Sequence, residues 1–150
     1  MLTSLSLNTT SGLAFDHLNV AMTGDTNGVT VSNSSNIDLT ALKISGTPDA
    51  AGVNQGVAVF IRDSSGVSVT GSEITQVGSG IGHLDSTHLT FANNNLHNLQ
   101  TDGIYGGGSS DVVVAGNHFT DVHPAVGDHP DAIQFWAASN GTPGHDVTIS

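Results

Sequence analysis

The chain of 150 residues has no cysteine, only two basic residues, and a single tryptophan and tyrosine. Without cysteine there is neither a disulfide framework nor a thiolate metal site. Two Lys and Arg against 13 Asp and Glu leave a formal net charge of −11. Phosphate backbones would find almost no basic contacts, so no nucleic-acid partner is expected. An acidic polysaccharide would be repelled as well, unless Ca²⁺ or a local group offsets the charge. No apolar run approaches the roughly 18 residues that suggest a membrane span. No charged start followed by an apolar centre marks a secretory leader, and no membrane partner is expected.

What the chain does have is glycine, 19 residues of it, together with abundant Ser, Thr and Asn. That mixture favours strands joined by tight turns over helices. Internal repeats then set the architecture. The segments SGLAFDHLNV, SNIDLTALKI, SGVSVTGSEI, THLTFANNNL and SDVVVAGNHF align, with first apolar residues Leu13, Ile37, Val67, Leu89 and Val112. Their spacings are 24, 30, 22 and 23 residues, and Val147 opens a sixth copy 35 residues on. A second series, GVTVS, GVAVF, GIGHL, GIYGG and AIQFW, interleaves with the first. Each period of about 22–24 residues therefore holds three short strands, which is the pattern of a parallel β-helix. The expectation is an all-β, single-stranded solenoid forming one domain over residues 1–150, as part of a longer chain.

Alternation assigns the faces. In the second series the inward pairs read Val29/Val31, Val57/Val59, Ile81/His83, Ile104/Gly106 and Ile133/Phe135. The next strands turn Ile37/Leu39, Val67/Val69, Leu89/Phe91 and Val112/Val114 inward, and a third short strand buries Val20, Ile44, Ile74, Leu96 and Phe119. Asn94 and Asn117 should stack inside as an amide ladder, and Lys43 should face Glu73 as a surface ion pair. Extra length at 47–55, 122–131 and 137–144 maps to loops, the first two at one corner, lining a groove beside the sheet of the second series. Both ends lack a cap and would expose strand edges, so an end-capping chain or an oligomer is expected.

The chemistry-bearing residues gather on two of these turns. Asp102 precedes Gly103-Ile104 and Asp131 precedes Ala132-Ile133, so the two carboxylates should stack on adjacent turns, about 4.8 Å apart. Like charges that close set an acid beside a base. With Asp128 they also make an oxygen-rich set for Ca²⁺. The blander role for Asp102 is to cap backbone in a tight turn. Tyr105 and Gln134 form the next outward column, with Arg62 on an outward strand two turns earlier. Phe60, Leu84 and Trp136 should share an apolar outward column that suits sugar rings. His123 and His129 sit on the loop above, in reach of a base's role. The remaining histidines fall at turns or outer faces, except His83, which points inward.

With TDGIYGGGSSDVVVAGNHF followed by GDHPDAI, the sequence resembles the right-handed parallel β-helix superfamily of pectin-lyase-like proteins. Within it the pattern looks like that of polygalacturonases, Asp102 matching the first aspartate of their motif and Asp131 the last. Asp128 is displaced by His129-Pro130. Tyr105-Gly106 is similar to the opening of a motif in mannuronan epimerases and alginate lyases. The resemblance implies a polysaccharide partner, uronate-containing, acted on by lyase or epimerase chemistry with a hydrolase as variant. In the first case Asp102, Asp131, Tyr105, His123 and His129 act on the sugar, Phe60, Arg62, Gln134 and Trp136 bind it, and Asp102, Asp128 and Asp131 hold Ca²⁺. In the hydrolase variant Asp102 and Asp131 are acid and base. An extracellular or cell-surface location follows from such a substrate. The alternative is a non-catalytic solenoid, as in a surface, adhesin or phage-fibre segment.

Overall fold

Each repeat folds into one coil of three strands, and like strands of successive coils pair in parallel. The computed structural model describes residues 1–137 and 141–150. Among them are three parallel sheets of six, six and five strands. The first sheet stacks Leu5–Asn8, Asn27–Ser32, Val57–Arg62, Ser79–Leu84, Ile104–Gly107 and Ile133–Trp136. The second runs from Ser11–Asp16 to His145–Ile149, and the third from Asn19–Ala21 to His118–Val122. No single coil could bury its apolar residues alone; stacked, they form one continuous core including Val29, Val59, Ile81, Ile104, Leu39, Val69, Phe91, Ile44, Ile74 and Leu96.

Two of the three corners are two-residue turns built on left-handed backbone. Between the first and second sheets Thr9, Asn33, Asp63 and Asp85 take φ of 55, 48, 48 and 46°, a region that Asn and Asp tolerate because their short side chains bond locally. After Asn33, Asp63 and Asp85 the next residue is a serine whose hydroxyl is threaded into a buried ladder, and the Thr10 amide joins its end by donating to Ser34 Oγ. The Ser34 amide donates to Ser64 Oγ, the Ser64 amide to Ser86 Oγ and the Ser86 amide to Ser109 Oγ, at 3.1, 3.1 and 3.2 Å. The second corner carries a matching ladder. Ser72 N donates to Asn94 Oδ1 at 2.9 Å and Asn94 Nδ2 to Asn117 Oδ1 at 2.9 Å, as the sequence suggested. These ladders satisfy backbone groups that a buried corner would otherwise leave unpaired. Among the described residues no such ladder crosses the third corner, and both long loops between the third and first sheets are inserted there.

Three sequence expectations need correction. Val59 and Ile61, not Val57 and Val59, point inward, because Val57 pairs with Asn27 and Val59 with Val29. Gly56 takes φ +76° at the corner, so aligning it with Gly28 shifted that strand by two residues. Phe60 consequently leaves the Trp136 column for that of Tyr105, and Arg62 takes its place beside Leu84. Finally, Lys43 does lie beside Glu73 in register, but Glu73 Oε1 pairs with His97 Nε2 at 3.5 Å. His97 is held close by its own backbone in the next coil, whereas a lysine must give up side-chain entropy for an exposed pair.

Candidate functional site

The outward face of the first sheet is read in three columns. The one beside the third corner holds Asn27, Val57 and Ser79 in register, and continues through Asp102 to Asp131: Gly80 N bonds to Asp102 O and Gly103 N to Asp131 O, both at 2.9 Å. The second column is Thr30, Phe60, Gly82, Tyr105, Gln134. The third is Ser32, Arg62, Leu84, Gly107, Trp136. Toward the later coils these columns bring Asp102, Asp131, Tyr105, Gln134 and Trp136 together.

The two carboxylates are adjacent-coil neighbours on one wall. Asp102 Oδ1 accepts the Asp131 amide at 2.9 Å, and Asp131 Oδ2 accepts Gln134 Nε2 at 3.1 Å. Asp102 thus does cap backbone, but that of the next coil, and one oxygen of each carboxylate has no role in these two bonds. Tyr105 is half-buried; desolvation, and then the Asp102 charge, push its phenol above the ordinary value and keep it protonated.

Aromatic rings fill the space that two strand glycines leave. A Cβ on Gly82 would stand 2.6 Å from the Tyr105 ring and 2.9 Å from Phe60 Cδ2. A Cβ on Gly107 would stand 2.7 Å from Trp136 Cδ1 and Nε1. Tyr105 therefore lies over the glycine of the coil before it, and so does Trp136. Their rings stack at a centroid distance of 5.7 Å and 13° between planes. Trp136 remains 41% exposed, a large apolar surface for a solenoid wall to leave open.

The loops meet at the third corner. Asp128 Oδ2 accepts Gln100 Nε2 at 2.8 Å and the Ala125 amide at 2.9 Å, which anchors the 123–131 segment. Those bonds hold the Asp128 carboxyl below its ordinary range. On the other side Asn54 Nδ2 donates to Asn98 O at 2.8 Å. Between the loops lies a groove of about 370 Å³, lined by Asp25, Asn54, Gln100, Ala125 and Asp128 and floored by Val57 and Ser79. It runs up to Thr101, the residue before Asp102, as expected of loops that share a corner.

Other site residues stand apart. His123 and His129 are exposed, and among the described residues no hydrogen bond or ion pair joins either to Asp102 or Asp131. Arg62 Nε is turned to Asp63 Oδ2 at 3.1 Å, two coils from Gly107. Asp102, Asp128 and Asp131 do not fit a calcium cage: Asp128 is committed to Gln100 and Ala125, and among the described residues no three His, Asp or Glu gather as ligands. The third insertion falls partly on residues 138–140, outside the described residues; its flanks, Ala137 and Pro143, line a cavity of about 250 Å³ beside Trp136. Sequence reasoning missed Gln100 as the loop anchor, and it missed Gly82 and Gly107 as seats for rings. The glycines carried a readable signal, since glycine inside a strand often marks a close approach.

Three parallel sheets, buried polar ladders at two corners and long loops at the third define a β-solenoid with one elaborated face. The chain belongs to the right-handed beta helix family, whose model matches residues 3–144. The fold is similar to the enzymatically active domain of tailspike protein 2 from bacteriophage CBA120, with a TM-score of 0.57 and 16% identity over 97% of this chain and 24% of that one. An alginate lyase from Paenibacillus aligns at a TM-score of 0.46 and 15% identity, over 75% of this chain and 36% of that one. The chain thus spans about a quarter to a third of the length of these structures. A comparison with curated protein sequences finds no match.

Proposed function

We propose that the outward face of the first sheet binds a polysaccharide and cleaves its glycosidic bond at Asp102 and Asp131. The observation that carries this reading is the adjacent-coil carboxylate pair, each member with an oxygen outside the bonds described, opening onto a stacked Tyr105–Trp136 pair. One carboxyl gives its proton to the glycosidic oxygen as the bond from C1 to that oxygen breaks. The other takes a proton from the water whose oxygen adds to C1, so the sum is the addition of one water. Gln134 orients Asp131, and Tyr105 donates a hydrogen bond to a sugar oxygen. The tailspike domain, described as enzymatically active, supports a catalytic role for such a fold.

A second reading, elimination or epimerisation on a uronate-containing polysaccharide, draws support from the protonated Tyr105 beside Asp102, which could deliver a proton to the leaving oxygen. It also needs a positive group against the sugar carboxylate. Lys43 and Arg62 are the only Lys and Arg, and Arg62 is occupied by Asp63.

The test is incubation with neutral and uronate polysaccharides, following reducing ends and the absorbance of an unsaturated product. Reducing ends without that absorbance, lost in Asp102→Asn and Asp131→Asn, support hydrolysis. Unsaturated product moves the site to the second reading. No product from any polysaccharide leaves a binding face and refutes cleavage.

A further inference from the structure

Phe60, Tyr105 and Trp136 stand on three of four successive coils, and the fourth contributes Gly82, over which Phe60 and Tyr105 both reach. The strip runs along the solenoid axis for about three coil rises, roughly 14 Å at about 4.8 Å each. Two of its rings are seated on glycine and stacked on each other, so they are fixed before any ligand arrives and little ordering is needed on binding. The strip is bordered by Asp102 and Asp131 on one side, and the Arg62 Nε beside it is turned to Asp63. A chain carrying a charge on every ring would meet like charge at the two carboxylates.

Resting on the reading of this face as a polysaccharide site, we infer that the strip selects a neutral polysaccharide. The ligand lies parallel to the solenoid axis, with the apolar faces of its pyranose rings on Phe60, Tyr105 and Trp136. This assigns the substrate class by apolar stacking, in contrast to the uronate class that the sequence suggested. Uronates are disfavoured by the flanking carboxylates, and a neutral sugar's hydroxyls find Gln134 and the Tyr105 phenol.

Trp136 is the only tryptophan, so its emission reports on this strip alone. The experiment titrates the Asp102→Asn chain, in which cleavage is expected to be at least about 100-fold slower, with neutral gluco-, manno-, galacto-, xylo- and N-acetylglucosamine oligosaccharides and with oligogalacturonate and oligomannuronate of equal length. At least one neutral series is expected to shift the emission, at affinities at least tenfold above both uronates, and Phe60→Ala to weaken it by about tenfold or less. Stronger binding of either uronate, or no emission shift with any neutral oligosaccharide, overturns the inference. Failure here is separable from failure of cleavage. Neutral binding without product by the unsubstituted chain keeps the strip and removes the catalytic role. Cleavage of uronates alone does the reverse.

Discussion

The first and second sheets share one core but treat their outer faces differently. Facing outward in register on the second sheet are Ala14, Asp38, Ser68, Thr90, Val113 and Thr148, short side chains that a solvated strand carries readily. Ser68 donates to Asp38 across coils at 2.7 Å, and that is local structure only. The first sheet breaks strand preference in its later coils on both sides of the wall. Outside it places Gly82 and Gly107 beneath aromatic rings; inside it places His83 and Gly106 where the second sheet has Phe91 and Val114. The inward columns are dictated by the solenoid. Departures from the rule therefore show where something other than folding has shaped the chain.

The sharpest way to test that contrast is to remove one carboxylate from each face. Asp102→Asn keeps the Oδ1 acceptor for the Asp131 amide, so the wall should stay folded, yet cleavage should fall by about 100-fold or more. Asp131→Asn should behave alike. Asp38→Asn, on the second sheet, should leave product formation unchanged. Equal losses from both faces would remove the assignment of the site to the first sheet.

The second largest effect concerns the inside of the same wall. His83 is fully buried, its Nδ1 2.9 Å from Ser109 Oγ and its ring near those of Phe91 and Phe135 at 5.6 and 5.2 Å. Among the described residues its Nε2 has no hydrogen-bond partner. Burial lowers the pKa from 6.5 to about 4, so the unfolded chain binds the proton more readily than the folded one. The stability that a neutral His83 contributes is complete above pH 6.5 and is lost as pH falls toward 4, by about 3 kcal/mol in all. Melting of the parent should therefore drop between pH 7 and 4.5 more than that of His83→Leu. Parallel curves would show that the imidazole does not set the acid limit.

Why the fold was legible and the site only partly so follows from these same residues. The repeats read correctly because the inward columns are apolar in most coils, His83 and Gly106 excepted, and the αL corners are mostly Asn, Asp or Gly, with Thr9, His17 and Ala41 as exceptions. Register was read well wherever no loop preceded the strand, and it slipped at Val57, where the 47–55 insertion supplied a misleading Gly56. Asp102, Asp131, Tyr105 and Gln134 were placed because they sit in phase with the repeat. Phe60 was misplaced by the same slip, and Asp128 was assigned to the carboxylates because loop residues carry no periodicity. Its true partner, Gln100, lies 28 residues away.

A smaller effect tests whether the glycines are seats. Gly107→Ala brings a Cβ to 2.7 Å from the Trp136 ring and backbone oxygen, so the indole must lift. The cost should be about 1 kcal/mol of stability, with a red shift of the emission as the ring enters water. Gly71→Ala, at φ +59° with open space around it beyond the second sheet, should cost stability by backbone strain yet leave the emission alone. A matching spectrum for the two variants would deny Gly107 its role.

The smallest effect lies at the third corner. The serine and asparagine ladders hold the other two corners from within, whereas the 123–131 loop hangs on Asp128 from outside. Gln100 is the first cause of the lowered Asp128 pKa, followed by the Ala125 amide. The anchor is therefore present at neutral pH, above the ordinary carboxylate range, and is lost as pH falls through the lowered value. Gln100→Ala should leave global melting nearly unchanged and speed hydrogen exchange at the Ala125 amide, with no change at the Ser86 amide in the serine ladder. Acidification of the parent should reproduce that pattern once the intrinsic slowing of exchange at low pH is allowed for. If the Ala125 amide exchanges alike with and without Gln100, then the loop is held by its own turn, and the corner needs no partner from the coil beneath it.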